Sequence, residues 1–453
     1  MNDFGLSDDE LFPLLDEAGA ANLRRLREHP HAPRYNWRTG ERVTSAGLAN
    51  VRTYAERVAS QRTPWEAGRL PPWVMPFVAT CRRDVPFYRA RETWSDDDFH
   101  ALPLTRRDDI RRRPWSFVPD GHPLDGLITY TTSGTTGTRL QIPATAELPN
   151  RYLPLLEHAL STVGVRLERG RRVSIVHACA QRGTVVLCSI SSYLGGAGFV
   201  KVNLDPSDWN DPADAARFLD DCDAQVYTGD PFALSRLTEI PLRTRPAAIV
   251  SAGTSLSGGM RERLSNHFNC PVIDLYSLNE SGPVAFSIAD GNHEILPPDV
   301  YVEIVDEAGR PCAPGARGEI VLTGGLNPCL PLVRYATGDF ASITHNTNGM
   351  PRLTGLQGRG AISFRTARGE WINSVDVTTA LSHVPLPYVS LHQSADSALT
   401  LHTCGDEDAV SSAESALRAL FGESQSITTV ADTQPSRSSK PIAYSTDLAP
   451  PNS

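Results

Sequence analysis

Hydrophobic and polar positions change period repeatedly along this chain. Short apolar runs fit buried strands at Val173-Ser174-Ile175-Val176-His177, Phe199-Val200-Lys201-Val202-Asn203, 224–228 and 247–250. They alternate with stretches of helical spacing at Tyr152–Leu167, 213–222 and 231–238. An apolar, glycine-containing helix is expected through Gly195-Gly196-Ala197-Gly198. The alternation predicts a mainly parallel sheet covered by helices, with ligands bound beyond the carboxyl ends of its strands. His177, Cys179 and Gly253-Thr254 each follow a strand and fall at that edge. Upstream, residues 1–70 alternate helical-looking segments with polar loops and carry no visible chemistry. An N-capped helix after Leu104-Thr105 follows.

A chain of 453 residues exceeds what one hydrophobic core usually serves, so two or more lobes are expected. Apolar residues at 40% and charged residues at 21% describe a soluble globular protein, and the net charge of −9 disfavours nucleic acid as a partner. No basic leader followed by an apolar run and no long apolar segment occurs, which predicts a cytoplasmic protein without a membrane partner. The eight cysteines show no C-x-x-C pair or zinc spacing and read as reduced, apolar side chains. Of 43 basic residues only Lys201 and Lys440 are lysine. Under such a bias a lysine survives where a compact ammonium cannot be replaced by the planar fork of arginine.

The most legible chemistry is Thr131-Thr132-Ser133-Gly134-Thr135-Thr136-Gly137-Thr138, between strand-like segments at Gly126–Tyr130 and Leu140–Pro143. Nothing in it suits a core. Its glycines let the backbone approach a ligand, and its hydroxyls and N–H groups donate to phosphate oxygens. The candidate phosphate-binding residues are Thr132, Ser133, Gly134, Thr135, Thr136 and Gly137. No Walker sequence accompanies them. A second candidate, Tyr276-Ser277-Leu278-Asn279-Glu280-Ser281-Gly282, ends a strand. There Tyr276 can stack on a base, and Glu280 can hold Mg²⁺ against phosphates. In Leu330-Pro331-Leu332-Val333-Arg334-Tyr335-Ala336-Thr337-Gly338-Asp339, the Asp339 carboxylate suits two vicinal hydroxyls.

Taken in order, these motifs resemble the ANL superfamily of adenylate-forming enzymes, and within it the branch of phenylacetate-CoA ligases. Further matches are Val85-Pro86-Phe87-Tyr88, the Leu102–Ile110 segment and Ala316-Arg317-Gly318-Glu319-Ile320-Val321-Leu322-Thr323. The resemblance spans Pro72 to Lys440 and is strongest over 128–340. It implies an α/β fold: a large N-terminal domain with β-sheets flanked by helices, plus a small mobile α+β C-terminal domain. The expected divisions are an N-terminal helical extension at 1–70, an adenylation core at 71–358 and a lid at 359–453.

The resemblance also implies roles. Gly253, Thr254, Tyr276, Asn279 and Asp339 would bind adenine and ribose, while Tyr130, His177, Cys179, Ser277 and Gly282 would line the acid pocket. Glu280 would bind Mg²⁺, Arg359 in the hinge Gly358-Arg359-Gly360 would reach the nucleotide as a catalytic residue, and Lys440 would meet the reacting carboxylate and the α-phosphate. Lys201 has no counterpart and reads as structural. The basic cluster Arg106, Arg107, Arg111, Arg112 and Arg113 reads as a solvated helix face. The implied partners are ATP, Mg²⁺, a small carboxylic acid of aromatic or aryl-acetic type, coenzyme A as acceptor and a second copy in a homodimer. The sequence departs from the family at Ser277, Asn279 and the hinge, where Gly360-Ala361-Ile362 stands in place of a serine and an acidic pair. That departure leaves a carrier-protein thiol, an amine or nitrite as alternative acceptors, and a silent nucleotide-binding protein as a rival reading.

Overall fold

The computed structural model describes residues 5–60, 69–94, 98–131, 140–180, 184–289, 291–358, 362–431 and 442–448. Its centre is a 13-stranded sheet. Five of the strands lie parallel: Ala197–Asn203, Val173–Cys179, Val226–Gly229, Ala248–Ala252 and Val272–Leu278, in that spatial order. They are nearly continuous apolar runs because both faces are covered. One covering helix, Asp214–Cys222, buries Ala215, Phe218, Leu219 and Cys222, the spacing of a single helical stripe. On the opposite face, Ile175, Val226, Val250 and Ile273 pack with Leu155, Ala159 and Leu160 of the helix Leu148–Ser161.

Two expectations change. The segment before Phe199 is not a helix: Leu187–Ser191 is a strand antiparallel to Ala197–Asn203. Gly195 and Gly196 take φ of 66° and 79°, which a tight connection needs and a right-handed helix forbids. The sheet is also mixed rather than mainly parallel. Between Leu278 and Gln357 the described residues hold no crossover helix, and Gly282–Ser287, His293–Ile295, Pro351–Gln357, Leu332–His345, Gly318–Gly324 and Val300–Val305 continue the sheet antiparallel. Short turns permit only that direction.

Beyond the large sheet, the hairpin Ser363–Arg365 with Trp371–Asn373 leads to a four-stranded sheet with helices Ser374–Leu381 and Glu407–Phe421. Their apolar residues form a cluster of their own, including Phe364, Val377, Leu391, Leu401, Leu417 and Phe421. This unit touches the helix Gly258–Phe268, where the Gly259 N–H donates to the Ser382 carbonyl at 3.0 Å. No helix among the described residues is long and apolar enough to cross a membrane. No cysteine forms a disulfide.

Candidate active site

The hairpin formed by Val272–Leu278 and Gly282–Ser287 turns at residues 279–281. A turn tip is normally solvated, yet Glu280 is only 3% exposed. The reason is tertiary: Leu332–His345 runs past the tip, and the helix Arg107–Arg112 closes over it. The Tyr335 hydroxyl donates to Glu280 Oε1 at 2.9 Å, and an Arg107 guanidinium nitrogen lies 2.7 Å from the same oxygen. Four residues back along the hairpin, the Tyr276 hydroxyl donates to Asp339 Oδ2 at 2.8 Å. Tyr335 and Asp339 are likewise four apart, so two strands are joined at two levels, each level carrying one acidic group. Burial and the neighbouring Asp339 carboxylate hold the Tyr276 phenol well above its usual titration range, so it stays a donor.

A buried cation fixes this second strand. Arg334 is 1% exposed and adopts a left-handed φ of 44°. Its Nε and one terminal nitrogen meet both Glu303 oxygens at 3.2 and 3.1 Å, while its remaining donors reach the carbonyls of His100, Leu102 and Gly309. Such saturation is what makes a buried charge tolerable. Thr105–Arg106 then pairs in parallel with Tyr335 and Ala336, which delivers Arg107 to Glu280. Sequence reasoning placed Arg107 on a solvated face. Arg106 and Arg111 do lie outward, against Glu319 and Asp108, but Arg107 turns inward because the two-residue strand sets its direction. Tyr335 was also missed. Its motif pointed to Asp339, and nothing local showed that the tyrosine would face a residue 55 positions away.

At the carboxyl edge of the parallel strands lie the other expected residues. His177 is half-buried, its Nδ1 lying 2.8 Å from Thr228 Oγ1. Burial, then the nearby Lys201 ammonium, pushes its pKa down to about 4, which keeps the ring neutral. Burial raises the Cys179 thiol against the same ammonium, so this sulfur is a packing group and not a thiolate. Gly253 follows its strand at φ 88° with open space where a side chain would stand, and the buried Thr254 hydroxyl has no hydrogen-bond partner among the described residues. An orphaned donor beside an open backbone suits a polar ligand such as a purine edge. Gly282 takes φ 81°, and an added Cβ would stand 2.7 Å from the Tyr152 ring, which makes it a close-packing position. Ser277 is half-buried, Asn279 is exposed at the hairpin tip, and Tyr130 is 37% exposed on Ile128–Thr131. The expected phosphate residues Thr132, Ser133, Gly134, Thr135, Thr136 and Gly137, with Arg359 and Lys440, lie outside the described residues.

Among the described residues no group of three or more ligating side chains could by itself hold a metal ion. A divalent cation at Glu280 would therefore share its coordination with phosphate oxygens and water, as Mg²⁺ commonly does.

Residues 111–327 match the AMP-binding enzyme family. No curated protein matches the chain. Among solved structures, 2-hydroxyisobutyryl-CoA ligase in the postadenylation state, in complex with R3-HIB-AMP, is similar with a TM-score of 0.61 at 16% identity, over 85% of this chain and 96% of that one. The same ligase in complex with 2-HIB-AMP and CoA in the thioesterification state gives a TM-score of 0.51 at 17% identity, over 89% and 91%. The mixed α/β fold of this chain is the one that these adenylate-forming ligases have.

Proposed function

We propose that this protein is an ATP-dependent, AMP-forming ligase that activates an aromatic or aryl-acetic carboxylic acid and passes the acyl group to coenzyme A. One observation carries the reading: the Tyr276–Asp339 and Glu280–Tyr335 contacts set a diol-binding carboxylate and a phosphate-side carboxylate one above the other at a single strand edge. Asp339 accepts from the ribose hydroxyls, and Tyr276 offers its ring to adenine while its hydroxyl keeps Asp339 aimed. Gly253 and Thr254 border the base. Bound at Glu280, Mg²⁺ would neutralise charge on the departing phosphates. Arg107, next to that carboxylate, serves the same electrostatic end from the protein side.

In the reaction a carboxylate oxygen of the acid attacks the α-phosphorus, the bond to the bridging oxygen breaks, and pyrophosphate leaves with its electrons. The nucleophile then adds to the acyl carbon and AMP departs. Thr132, Ser133, Gly134, Thr135, Thr136 and Gly137 cradle the leaving phosphates. Lys440 and Arg359, on a C-terminal unit beginning at 359, come to the reacting groups when that unit closes as a lid. Neutral His177 and Cys179 face the acid, with Tyr130, Ser277 and Gly282 around it, while Asn279 serves the nucleoside. The phenylacetate-CoA ligase branch, a cytoplasmic location and a homodimer belong to the same reading.

A second acceptor reading rests on the residues after Gly358. Arg359-Gly360-Ala361 lacks the acidic pivot that the family resemblance leads one to expect, which favours a carrier-protein thiol, an amine or nitrite over coenzyme A. ATP–pyrophosphate exchange across a panel of aryl acids tests adenylation, and product analysis with each acceptor separates the two readings. Measurable ATP binding without exchange for any acid would leave a silent nucleotide-binding protein.

A further inference from the structure

Lys201 carries chemistry that the reaction above does not use. It is one of two lysines in the chain, and it sits within the central sheet rather than on an outer surface. Its register partner on the neighbouring parallel strand is His177, whose own partner on the next strand is Thr228. Register partners share a face, so ammonium, imidazole and hydroxyl form one row. The row two residues back is Phe199, Ile175 and Val226, all packed in the apolar layer under helix Leu148–Ser161. The layer thus turns from apolar to polar at the level of Lys201, toward the carboxyl edge.

Among the described residues no carboxylate answers this ammonium. Lys201 is half-buried and makes no ion pair among the described residues. His177 is neutral and engaged with Thr228. Asp230, just beyond the strand of Thr228, accepts from the Ala233 N–H at 2.7 Å as the cap of helix Pro231–Leu237. A half-buried cation without a counter-ion leaves electrostatic free energy to be gained by an arriving anion. The strand of Lys201 stands four strands from that of Tyr276, about 19 Å at ordinary strand spacing. One carboxylate cannot therefore serve both ends.

We propose that Lys201 recognises a second anionic group on the acid substrate, with His177 and Thr228 beside it, so that the preferred substrate is a diacid whose far carboxylate is held at Lys201. The inference rests on the adenylation reading and deepens it. The reacting carboxylate lies toward Tyr276 and Ser277, and an aryl or extended spacer crosses the intervening strand ends.

The test is ATP–pyrophosphate exchange with matched pairs long enough to span that distance together with the lysine side chain: biphenyl-4-acetate against 4′-carboxybiphenyl-4-acetate, and dodecanoate against dodecanedioate. The expected wild-type result is a kcat/KM at least about tenfold higher for the diacid of a pair. Lys201→Met should lower the diacid-to-monoacid ratio by at least about tenfold, with Lys201→Arg retaining part of it. Lys201→Gln supplies the same comparison if the methionine variant is unstable. A wild-type preference for the monoacid in both pairs, or an unchanged ratio in the variants, overturns the inference while adenylation stands. Absence of exchange with every acid overturns the adenylation reading, and this inference falls with it.

Discussion

The Tyr276 hydroxyl lies 2.8 Å from Asp339 Oδ2, across 63 positions of sequence. Removing the hydroxyl leaves the ring and deletes the donor that aims the carboxylate. Tyr276→Phe should raise the KM for ATP roughly tenfold with a smaller effect on the acid, as expected for loss of one hydrogen bond to a charged group. Asp339→Asn should raise it further. Steady-state exchange kinetics at varied ATP checks both, and equal effects on the KM for acid would contradict the assignment.

Arg107 and Glu280 form a pair in which the carboxylate is almost fully enclosed and the guanidinium is 24% exposed. Arg107→Gln should destabilise the protein by about 3–5 kcal/mol, because it leaves a buried charge supported only by Tyr335. Adding Glu280→Gln should recover part of that loss. Thermal denaturation of the two single variants and the double variant measures the coupling. Strict additivity would show that the pair is not a unit.

Arg334 is held by Glu303 and three carbonyls. Arg334→Met should cost at least about 3 kcal/mol, since it leaves the buried Glu303 with the His100 ring nitrogen alone and orphans three acceptors. Limited proteolysis and the melting temperature report this. A variant with wild-type stability and lowered ATP affinity would instead make Arg334 a ligand-binding group.

His177 titrates near pH 4 in the folded chain, against an ordinary value of 6.5. Between those values the unfolded chain binds the proton and the folded one does not. Stability contributed by the neutral ring is full above pH 6.5 and is lost as pH falls toward 4, by about 1–3 kcal/mol. His177→Gln should flatten this part of the pH–stability curve. An unchanged slope would show that the ring is solvated.

Much of the candidate site was legible in the chain itself, where chemistry is concentrated in short runs. Glu280 and Asp339 stand out because an acid at a strand exit, among glycines and hydroxyls, has few structural uses. Gly253 and Gly282 were singled out as family positions, and both need positive φ. Arg107 was misread because its neighbours are solvated. Its direction comes from two parallel hydrogen-bonded residues, Thr105 and Arg106, whose partner strand begins over 220 positions later. The glycine run at 195–198 was misread because periodicity alone does not separate a tight hairpin from a packed helix.

By itself the sequence determined what is local: the strand and helix periods of the parallel half, the acidic and hydroxyl-rich motifs, and the singular lysines. Tertiary structure alone decided which of these meet. It enclosed a hairpin-tip glutamate, turned one arginine of five inward, and set Lys201 beside His177 in a row without a counter-charge. Pattern follows from the chain's own covalent period, whereas burial and pairing depend on what distant segments bring to the same place. Charge in particular takes its meaning from its surroundings, and those are a property of the fold.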